Sequence, residues 1–256
     1  MLLNLLQGNT DIIAFLSNFL VSLPVFLIAL TFHEAAHAYV AWRCGDPTAK
    51  LLGRLTLNPV RHLDPWGFLL LFVAGVGWAK PVPVNPRNLG NPRRDDFLIS
   101  IAGVVMNLLL CLLSSLAMFA MTTYALGMEP FSRSEILLAY QYAVFGMDQA
   151  LIAPLMGSAA RYVYLFFVNL AIVNLSLAVF NLLPIPPLDG YHVFNDLLFQ
   201  RSHLFASVKV QRVGMLLIVV LLATGLFDKG LYAIITTVFQ GMGRLVYSLV
   251  VALGAA

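Results

Sequence analysis

The chain has 256 residues, of which 60% are hydrophobic and only 11% are charged. A typical globular domain has about 25% charged residues, and the mean hydropathy here is +0.87. This composition excludes a disordered chain, a disulfide-rich secreted domain and an ordinary soluble enzyme. The net charge of +3 rests on few residues and does not indicate nucleic-acid binding. We therefore expect a polytopic membrane protein that binds no nucleic acid.

Three uncharged runs are long enough to cross a bilayer, which takes about 20 mostly apolar residues. These runs are Ile12–Phe32, Phe97–Met128 and Tyr162–Leu188. No basic segment precedes the first run and no small-residue cleavage site follows it, so it is expected to be a retained helix rather than a signal peptide. Val213–Phe227 and Gly230–Val251 are further candidates, the second interrupted only by Arg244.

Two other apolar stretches have an ambiguous composition. Pro65–Ala79 contains three glycines and is followed by a proline-rich segment, which favours a short re-entrant hairpin or strand pair over a spanning helix. Ile136–Gly157 contains Asp148 and Pro154, and we expect it to lie along the interface without crossing.

The predicted fold class is all-α polytopic with a small membrane-associated β element. It forms one membrane domain over residues 1–256, with a core at about 12–196 and additional helices within 210–252.

Lysine and arginine are distributed very unevenly between the predicted loops. The loops 43–64 and 80–96 and the segment after Leu188 together carry eleven of the 15 basic residues. Placing them on one side leaves three on the other, at Arg133, Arg161 and Lys229, while Arg244 lies inside a candidate helix. Because basic loops stay in the cytoplasm, we expect a multi-pass protein of a bacterial-type plasma membrane with these loops inside.

The segment His33-Glu34-Ala35-Ala36-His37 is the clearest chemical motif. On a helix, residues i and i+4 share one face, so both imidazoles can bind one Zn²⁺. Glu34 lies one step round the helix and can act as the general base toward a water at the metal. The alternative is a pair of interfacial histidines with a glutamate at the lipid end of a helix. Ionisable groups inside a membrane are costly and usually functional, which favours the metal site.

A catalytic zinc site needs a third protein ligand and one open position. The predicted topology brings the end of Tyr162–Leu188 to the side of the HEAAH motif, where Asp189 and Gly190 follow three prolines. Prolines end a helix, and non-helical backbone at membrane depth is tolerated where it lines a cavity. Asp189 is therefore a credible ligand, and an ordinary Asp-Gly turn at the interface is the alternative.

The HEAAH motif, GRLTLNPVRHLDPWG, WAKPVPVNPRN and NLLPIPPLDG together resemble the site-2 protease family of intramembrane zinc metalloproteases, over about Leu30 to Asp196. The resemblance implies a site-2-protease-like helical core with one Zn²⁺ per chain. It implies His33, His37 and Asp189 as zinc ligands, Glu34 as catalytic base, and Asn181 as the residue that orients the scissile carbonyl. It also implies a membrane-protein substrate held in extended form.

The candidates for the β element that would hold such a substrate are Gly53–Asn58 and Trp66–Val84. Augmentation of this element would expose a peptide bond that a helix hides, whereas a purely structural hairpin over the zinc site is the alternative. The chain departs from the family at Gly103-Val-Val-Met-Asn107, where a proline usually follows the glycine. Asn107 is therefore assigned to helix packing. No PDZ-sized or CBS-sized insert is present between the predicted helices.

Three histidines remain outside these motifs. His62 is expected to have a structural or gating role, with metal contact as the alternative. His192 is expected to be interfacial, with hydrogen bonding to a metal ligand as the alternative, and His203 is expected to be solvated. The competing function for the whole chain is an inactive zinc-binding membrane scaffold or a metal transporter. A transporter would need ionisable residues through the bilayer, which the uncharged runs lack, and a scaffold would not need Glu34.

Overall fold

The computed structural model describes residues 12–74, 77–126, 157–199 and 208–252. Eight α-helices occupy most of these ranges, and a π-helical turn, Asn195–Phe199, continues the sixth. In chain order the helices are α1 Ile12–Arg43, α2 Thr48–Leu51, α3 Pro65–Ala74, α4 Pro92–Leu126, α5 Ser158–Asn181, α6 Asp189–Phe194, α7 Val208–Ala223 and α8 Leu226–Ala252. The predicted all-α class is confirmed. Ile136–Gly157, of which only Gly157 is described, cannot be compared with its prediction.

Four of the helices are long and apolar enough to cross a membrane. The spans are Leu20–Arg43 in α1, Pro92–Ala125 in α4, Ala159–Asn181 in α5 and Lys229–Ala252 in α8. Four of the five candidate runs thus correspond to helices that are long and apolar enough to cross a membrane. The fifth corresponds to α7, which has 16 residues and is shorter than a typical span.

Helix α1 continues well beyond the apolar run that predicted it. The run Ile12–Phe32 extends as one helix to Arg43, so the HEAAH motif lies inside the helix and not at its end. Alanines at positions 35, 36, 38 and 41 have high helix propensity and no polar group to bury. This continuation sets His33 and His37 one turn apart on a regular helix.

The segment Pro65–Ala79, predicted as a short re-entrant hairpin or strand pair rather than a spanning helix, does not form a strand pair in its described residues. Pro65–Ala74 is an α-helix of ten residues, because Asp64 caps its start by accepting hydrogen bonds from Trp66 N and Gly67 N at 3.0 and 2.9 Å. The chain then returns, and Ala79 forms an antiparallel bridge with Leu63. Among the described residues the β element consists of this one bridge, and Gly53–Asn58 forms turns and bends.

The extended segment that follows this bridge is fixed by polar groups at both ends. At its start, Arg54 donates to the carbonyl oxygens of Lys80 and Pro81. At its end, the fully buried Asp46 accepts from Asn85 N and from the Asn88 amide, both at 2.7 Å. The segment is therefore held against the residues that directly follow α1.

The described chain divides into two compact units. The first consists of Met1–Leu108 and Leu177–Val219, and the second of Leu109–Ser176 and Val220–Ala256. Every residue of the candidate site described below belongs to the first unit. The prediction of a single membrane domain stays a prediction.

Candidate metal centre

His33 and His37 of α1 present their Nε2 atoms to each other. The two atoms lie 3.0 Å apart, and both side chains are buried. This geometry follows from the i, i+4 spacing, which stacks the two side chains on one helix face. Two neutral imidazoles in this arrangement form half of a tetrahedral metal site.

A hydrogen bond from the neighbouring helix α4 sets the tautomer of His37. Its Nδ1 lies 2.7 Å from the carbonyl oxygen of Ile99. A carbonyl oxygen only accepts, so Nδ1 carries a proton, and in the neutral ring Nε2 carries the lone pair. A backbone carbonyl in this role is the usual second partner of a metal-binding histidine.

Asp189 reaches the two histidines from the segment after α5. The helix ends at Asn181, because the prolines at 184, 186 and 187 cannot continue it. The backbone is extended at Leu188 and becomes helical again at Asp189. As a result Asp189 Oδ2 lies 3.2 Å from His33 Nε2 and 3.3 Å from His37 Nε2.

The residue after Asp189, Gly190, has to be a glycine because of its close approach to another part of the backbone. A Cβ at this position would collide with the carbonyl oxygens of Leu182 and Leu183. The first turn of α6 thus packs directly on the backbone that follows Asn181. This close approach folds the proline-rich segment back on itself, so that both of its ends lie together.

The three donor atoms have the spacing of a tetrahedral site. Zinc bonds of about 2.0–2.2 Å to nitrogen and oxygen place neighbouring ligand atoms about 3.3 Å apart in a tetrahedron. The observed separations are 3.0, 3.2 and 3.3 Å, and no other group of three His, Cys, Asp or Glu residues in the described part of the chain has this property. Asp189 Oδ2 is buried and has no hydrogen-bond partner among the described residues, although it faces both rings. The residues present therefore fit a zinc ion.

The carboxyl group of Asp189 is suited to bind a cation. Burial by itself raises its pKa, but the facing rings of His37 and His33 outweigh burial and hold the pKa below its usual range. The group is therefore ionised, as a metal ligand must be.

Gly103 of α4 lies directly against the two imidazoles. A Cβ at this position would lie 2.5 Å from His37 Nε2 and 2.7 Å from His33 Nδ1. A real Cβ cannot approach so closely, so any other residue would displace the rings or separate α4 from α1. The glycine of the predicted Gly103–Asn107 element is thus a requirement of the site itself.

Glu34 is buried beside the two histidines, and its Oε2 atom has no hydrogen-bond partner among the described residues. The sequence did not single out Arg54, which is also buried. Burial lowers the pKa of the Arg54 guanidinium, and the negative charge of Glu34 partly opposes this effect. Arg54 therefore interacts electrostatically with Glu34 and also donates hydrogen bonds to the extended segment at Lys80 and Pro81. The signal in the sequence was the GR pair that opens GRLTLNPV, but nothing there indicated burial.

The other predicted residues have distinct positions. Asn181 is the last residue of α5 and is partly buried, one residue before the backbone that Gly190 contacts. His62 lies outside the cluster, and its Nε2 bonds to the carbonyl oxygen of Thr56 at 2.9 Å. His192 bonds to Asp96 through Nδ1 at 3.2 Å. His203 lies outside the described residues.

His192 belongs to a polar cluster that joins α6 to the start of α4. Arg93 donates from Nε to the carbonyl oxygen of Asp196 at 2.7 Å, and the Asp196 side chain is buried. Burial, followed by the charge of Asp96 and a hydrogen bond with it, raises the pKa of Asp196 to about 6, while His192 and Arg93 partly offset this. The cluster ties the helix that carries Asp189 to the helix that carries Gly103.

Stability of this cluster is expected to depend on pH through Asp196. Its pKa is higher in the folded protein than the usual value of about 3.9, so the folded state binds the proton more tightly. The protonated form of Asp196 therefore favours the folded state. This contribution to the stability is complete below about pH 4 and is lost as the pH rises through about 6. We expect Asp196→Asn to raise the thermal midpoint in detergent at about pH 7.5 by about 2–4 °C, with a smaller gain at about pH 5. Equal gains at both pH values would contradict this assignment.

Comparison with known proteins gives a consistent family. Residues 21–225 match the profile of Peptidase family M50. "Putative zinc metalloprotease YwhC" of Bacillus subtilis is 45% identical over 171 residues, which cover 67% of this chain and 66% of that protein. "Putative zinc metalloprotease Rip2" of Mycobacterium tuberculosis H37Rv is 32% identical over 193 residues, or 73% of this chain and 61% of that protein.

A second Rip2, from Mycolicibacterium smegmatis, is 26% identical over 236 residues, which cover 90% of this chain and 77% of that protein. The chain spans less than two thirds of the length of these relatives, 66% of YwhC and 61% of the tuberculosis Rip2. No solved structure matches the chain. The profile match covers well over half of the chain and includes the HEAAH motif and Asp189, so this chain belongs to peptidase family M50, the site-2 protease family that its motifs resemble.

Proposed function

We propose that the chain is an intramembrane zinc metalloprotease that hydrolyses peptide bonds of membrane-spanning substrates and uses one Zn²⁺ per chain. The observation that carries this proposal is the convergence of His33 Nε2, His37 Nε2 and Asp189 Oδ2 within 3.3 Å of one another. Two of these ligands lie on a helix that is long and apolar enough to span a membrane. The names of the relatives, which call them zinc metalloproteases, agree with it.

In this proposal the three clustered residues hold the metal and Glu34 moves the proton. Zinc, when bound, activates water at neutral pH and polarises the substrate carbonyl. Glu34 accepts the proton of the attacking water at a carboxylate oxygen and then delivers it to the leaving nitrogen. The Oε2 atom of Glu34 supports this role, because it is buried and no described residue occupies it with a hydrogen bond.

Asn181 is proposed to orient the substrate carbonyl. It ends α5 next to the backbone on which Gly190 packs, and Gly190 directly follows the ligand Asp189. A carboxamide can donate hydrogen bonds to a carbonyl oxygen, and its position at the end of α5 places it beside the non-helical segment that leads to Asp189. The residue would therefore act on the substrate and leave the metal to the other three side chains.

The extended segment after Ala79 is proposed to receive the unwound substrate. It is pinned by Arg54 at one end and by Asp46 at the other, and it carries no helix up to Asn85. An added extended peptide would gain main-chain hydrogen bonds that a helical substrate lacks. A fixed, extended edge beside the residues that follow α1 supports this role.

The zinc site is proposed to face the cytoplasm in a bacterial plasma membrane. Eleven basic residues lie in the loops assigned to the side nearer the motif, against three on the other side. The positive-inside rule places the richer side in the cytoplasm. The bacterial relatives support the choice of membrane.

Reconstituted cleavage tests the proposed function. The purified chain in liposomes is mixed with tagged single-span peptides that carry a helix-breaking residue in the apolar stretch. We expect cleavage that a zinc chelator abolishes and added Zn²⁺ restores. Cleavage that survives chelation, or cleavage confined to soluble parts of the peptides, would contradict an intramembrane zinc protease.

A further inference from the structure

Asn107 of α4 is a buried asparagine whose polar atoms have no assigned role. Its side chain is fully buried, and neither Oδ1 nor Nδ2 has a hydrogen-bond partner among the described residues. Buried amides in native proteins are almost always hydrogen-bonded, because leaving them unpaired costs free energy. An asparagine used only for helix packing would show a bond to a neighbouring helix or to its own backbone.

Several buried polar residues of the spanning helices that lie away from the candidate site do show such bonds. The amide of Asn174, also fully buried, donates to the carbonyl oxygen of Leu170 at 2.8 Å. The hydroxyl groups of Ser115 and Thr122 donate to carbonyl oxygens four residues earlier. Asn174 lacks a partner only at Oδ1, whereas Asn107 lacks one at both polar atoms among the residues that the structure describes.

Position on the helix relates Asn107 to the candidate metal centre. It lies four residues after Gly103, hence one turn further on the same face of α4. That face meets α1 at the two imidazoles, where a Cβ built on Gly103 would lie 2.7 Å from His33 Nδ1. Ile99, one turn before Gly103, contacts His37, so moving along α4 from Ile99 to Gly103 leads from His37 toward His33. Asn107 continues this direction.

His33 has a ring nitrogen that needs a hydrogen-bond partner. Its Nδ1 is buried and has no partner within the described part of the chain, whereas Nδ1 of His37 donates to the Ile99 carbonyl oxygen. Histidines that bind metals almost always donate their second nitrogen to a carboxylate, a carbonyl or a water. The site therefore contains one supported histidine and one unsupported histidine, with an unpaired carboxamide oxygen on the facing helix.

We propose that Asn107 is the positioning residue of His33, its Oδ1 accepting a hydrogen bond from His33 Nδ1 directly or through one water. This bond fixes the tautomer in which Nε2 of His33 carries the lone pair and faces His37 and Asp189. The inference rests on the zinc site of the proposed function. It assigns to Asn107 a contribution to metal affinity rather than contact with the substrate.

Zinc affinity, measured by competition with a chromogenic chelator in detergent, tests this inference. We expect Asn107→Leu, which keeps the size but removes both polar atoms, to weaken zinc binding by about 10–100-fold. Asn107→Asp keeps the acceptor oxygen and should stay within about 3-fold of the wild type. Asn174→Leu makes the same chemical change at another fully buried asparagine and should also stay within about 3-fold. Gel filtration establishes that each variant is folded, and Asn107→Ala replaces the leucine variant if that variant does not fold.

The outcomes separate this inference from the proposed function. Zinc binding by Asn107→Leu that equals the wild type, or equal losses in Asn107→Leu and Asn174→Leu, would overturn the role of Asn107 and leave the zinc site intact. A folded Asn107→Asp as weak as the leucine variant would show that the acceptor oxygen is not what matters. A wild-type chain that binds no zinc would overturn the proposed function and this inference together.

Discussion

Replacing Glu34 by glutamine is expected to abolish peptide hydrolysis while leaving zinc bound. The amide has nearly the same shape as the carboxylate, so the helix and the two histidines beside it should be undisturbed. It cannot accept a proton from water, and a general base contributes about 10²–10⁴-fold to a rate. Cleavage of the tagged peptides in liposomes should therefore fall by at least about 100-fold. Elemental analysis of the same preparation should give the wild-type zinc content.

The shorter acid provides the matched control for this prediction. Glu34→Asp keeps a carboxylate but withdraws it by one methylene, so it should retain part of the activity and all of the zinc. A Glu34→Gln protein that cleaves within about tenfold of the wild type would remove Glu34 from the mechanism. Loss of zinc in Glu34→Gln would instead show that the glutamate supports the metal.

Replacing Asp189 by alanine is expected to remove zinc from the protein. The substitution deletes the carboxylate proposed as the third ligand and leaves the two facing nitrogens 3.0 Å apart. Loss of a mere supporting hydrogen bond at a metal site costs about 10–100-fold in affinity, so loss of a ligand should exceed about 100-fold. Elemental analysis after detergent purification should show about one zinc per wild-type chain and only a trace in the variant.

Asp196→Asn serves as the control for Asp189→Ala. It changes another buried aspartate, seven residues further along the chain, whose carboxyl group is not part of the His33–His37–Asp189 group. This variant should retain its zinc. If zinc survives Asp189→Ala, the third ligand is misassigned, and His62 and His192 become the next residues to substitute.

Most of the candidate site could be predicted from the helical spacing of the two histidines and from the prolines before Asp189. The i, i+4 pair of histidines depends only on local helix geometry, which the sequence specifies well. The prolines before Asp189 end α5 for a local reason too. The pairing of Asp189 with the HEAAH motif is not local, but charge distribution and the family resemblance both indicated it. Whether these residues bind zinc stays a prediction until metal is measured.

Other features depend on tertiary contacts and were missed or differ. Gly103 was noted for a missing proline beside it, whereas its importance lies in the closeness of two imidazoles from another helix. Arg54 appeared to be one of several basic loop residues, and its burial depends on carbonyl groups 26 and 27 residues away. Pro65–Ala79 was expected to form a short re-entrant hairpin or strand pair rather than a spanning helix, but the cap at Asp64 and the apolar run start a short helix.

X-ray absorption at the zinc edge, measured on the purified wild-type chain, tests the central claim most directly. The account predicts one zinc with about four nitrogen or oxygen neighbours at about 2.0–2.2 Å, of which two give the outer-shell scattering of imidazole. A sulfur neighbour at about 2.3 Å would place the metal at a cysteine, and the chain has only Cys44 and Cys111. A third imidazole would replace Asp189 by another histidine, and either result would contradict the His33–His37–Asp189 centre.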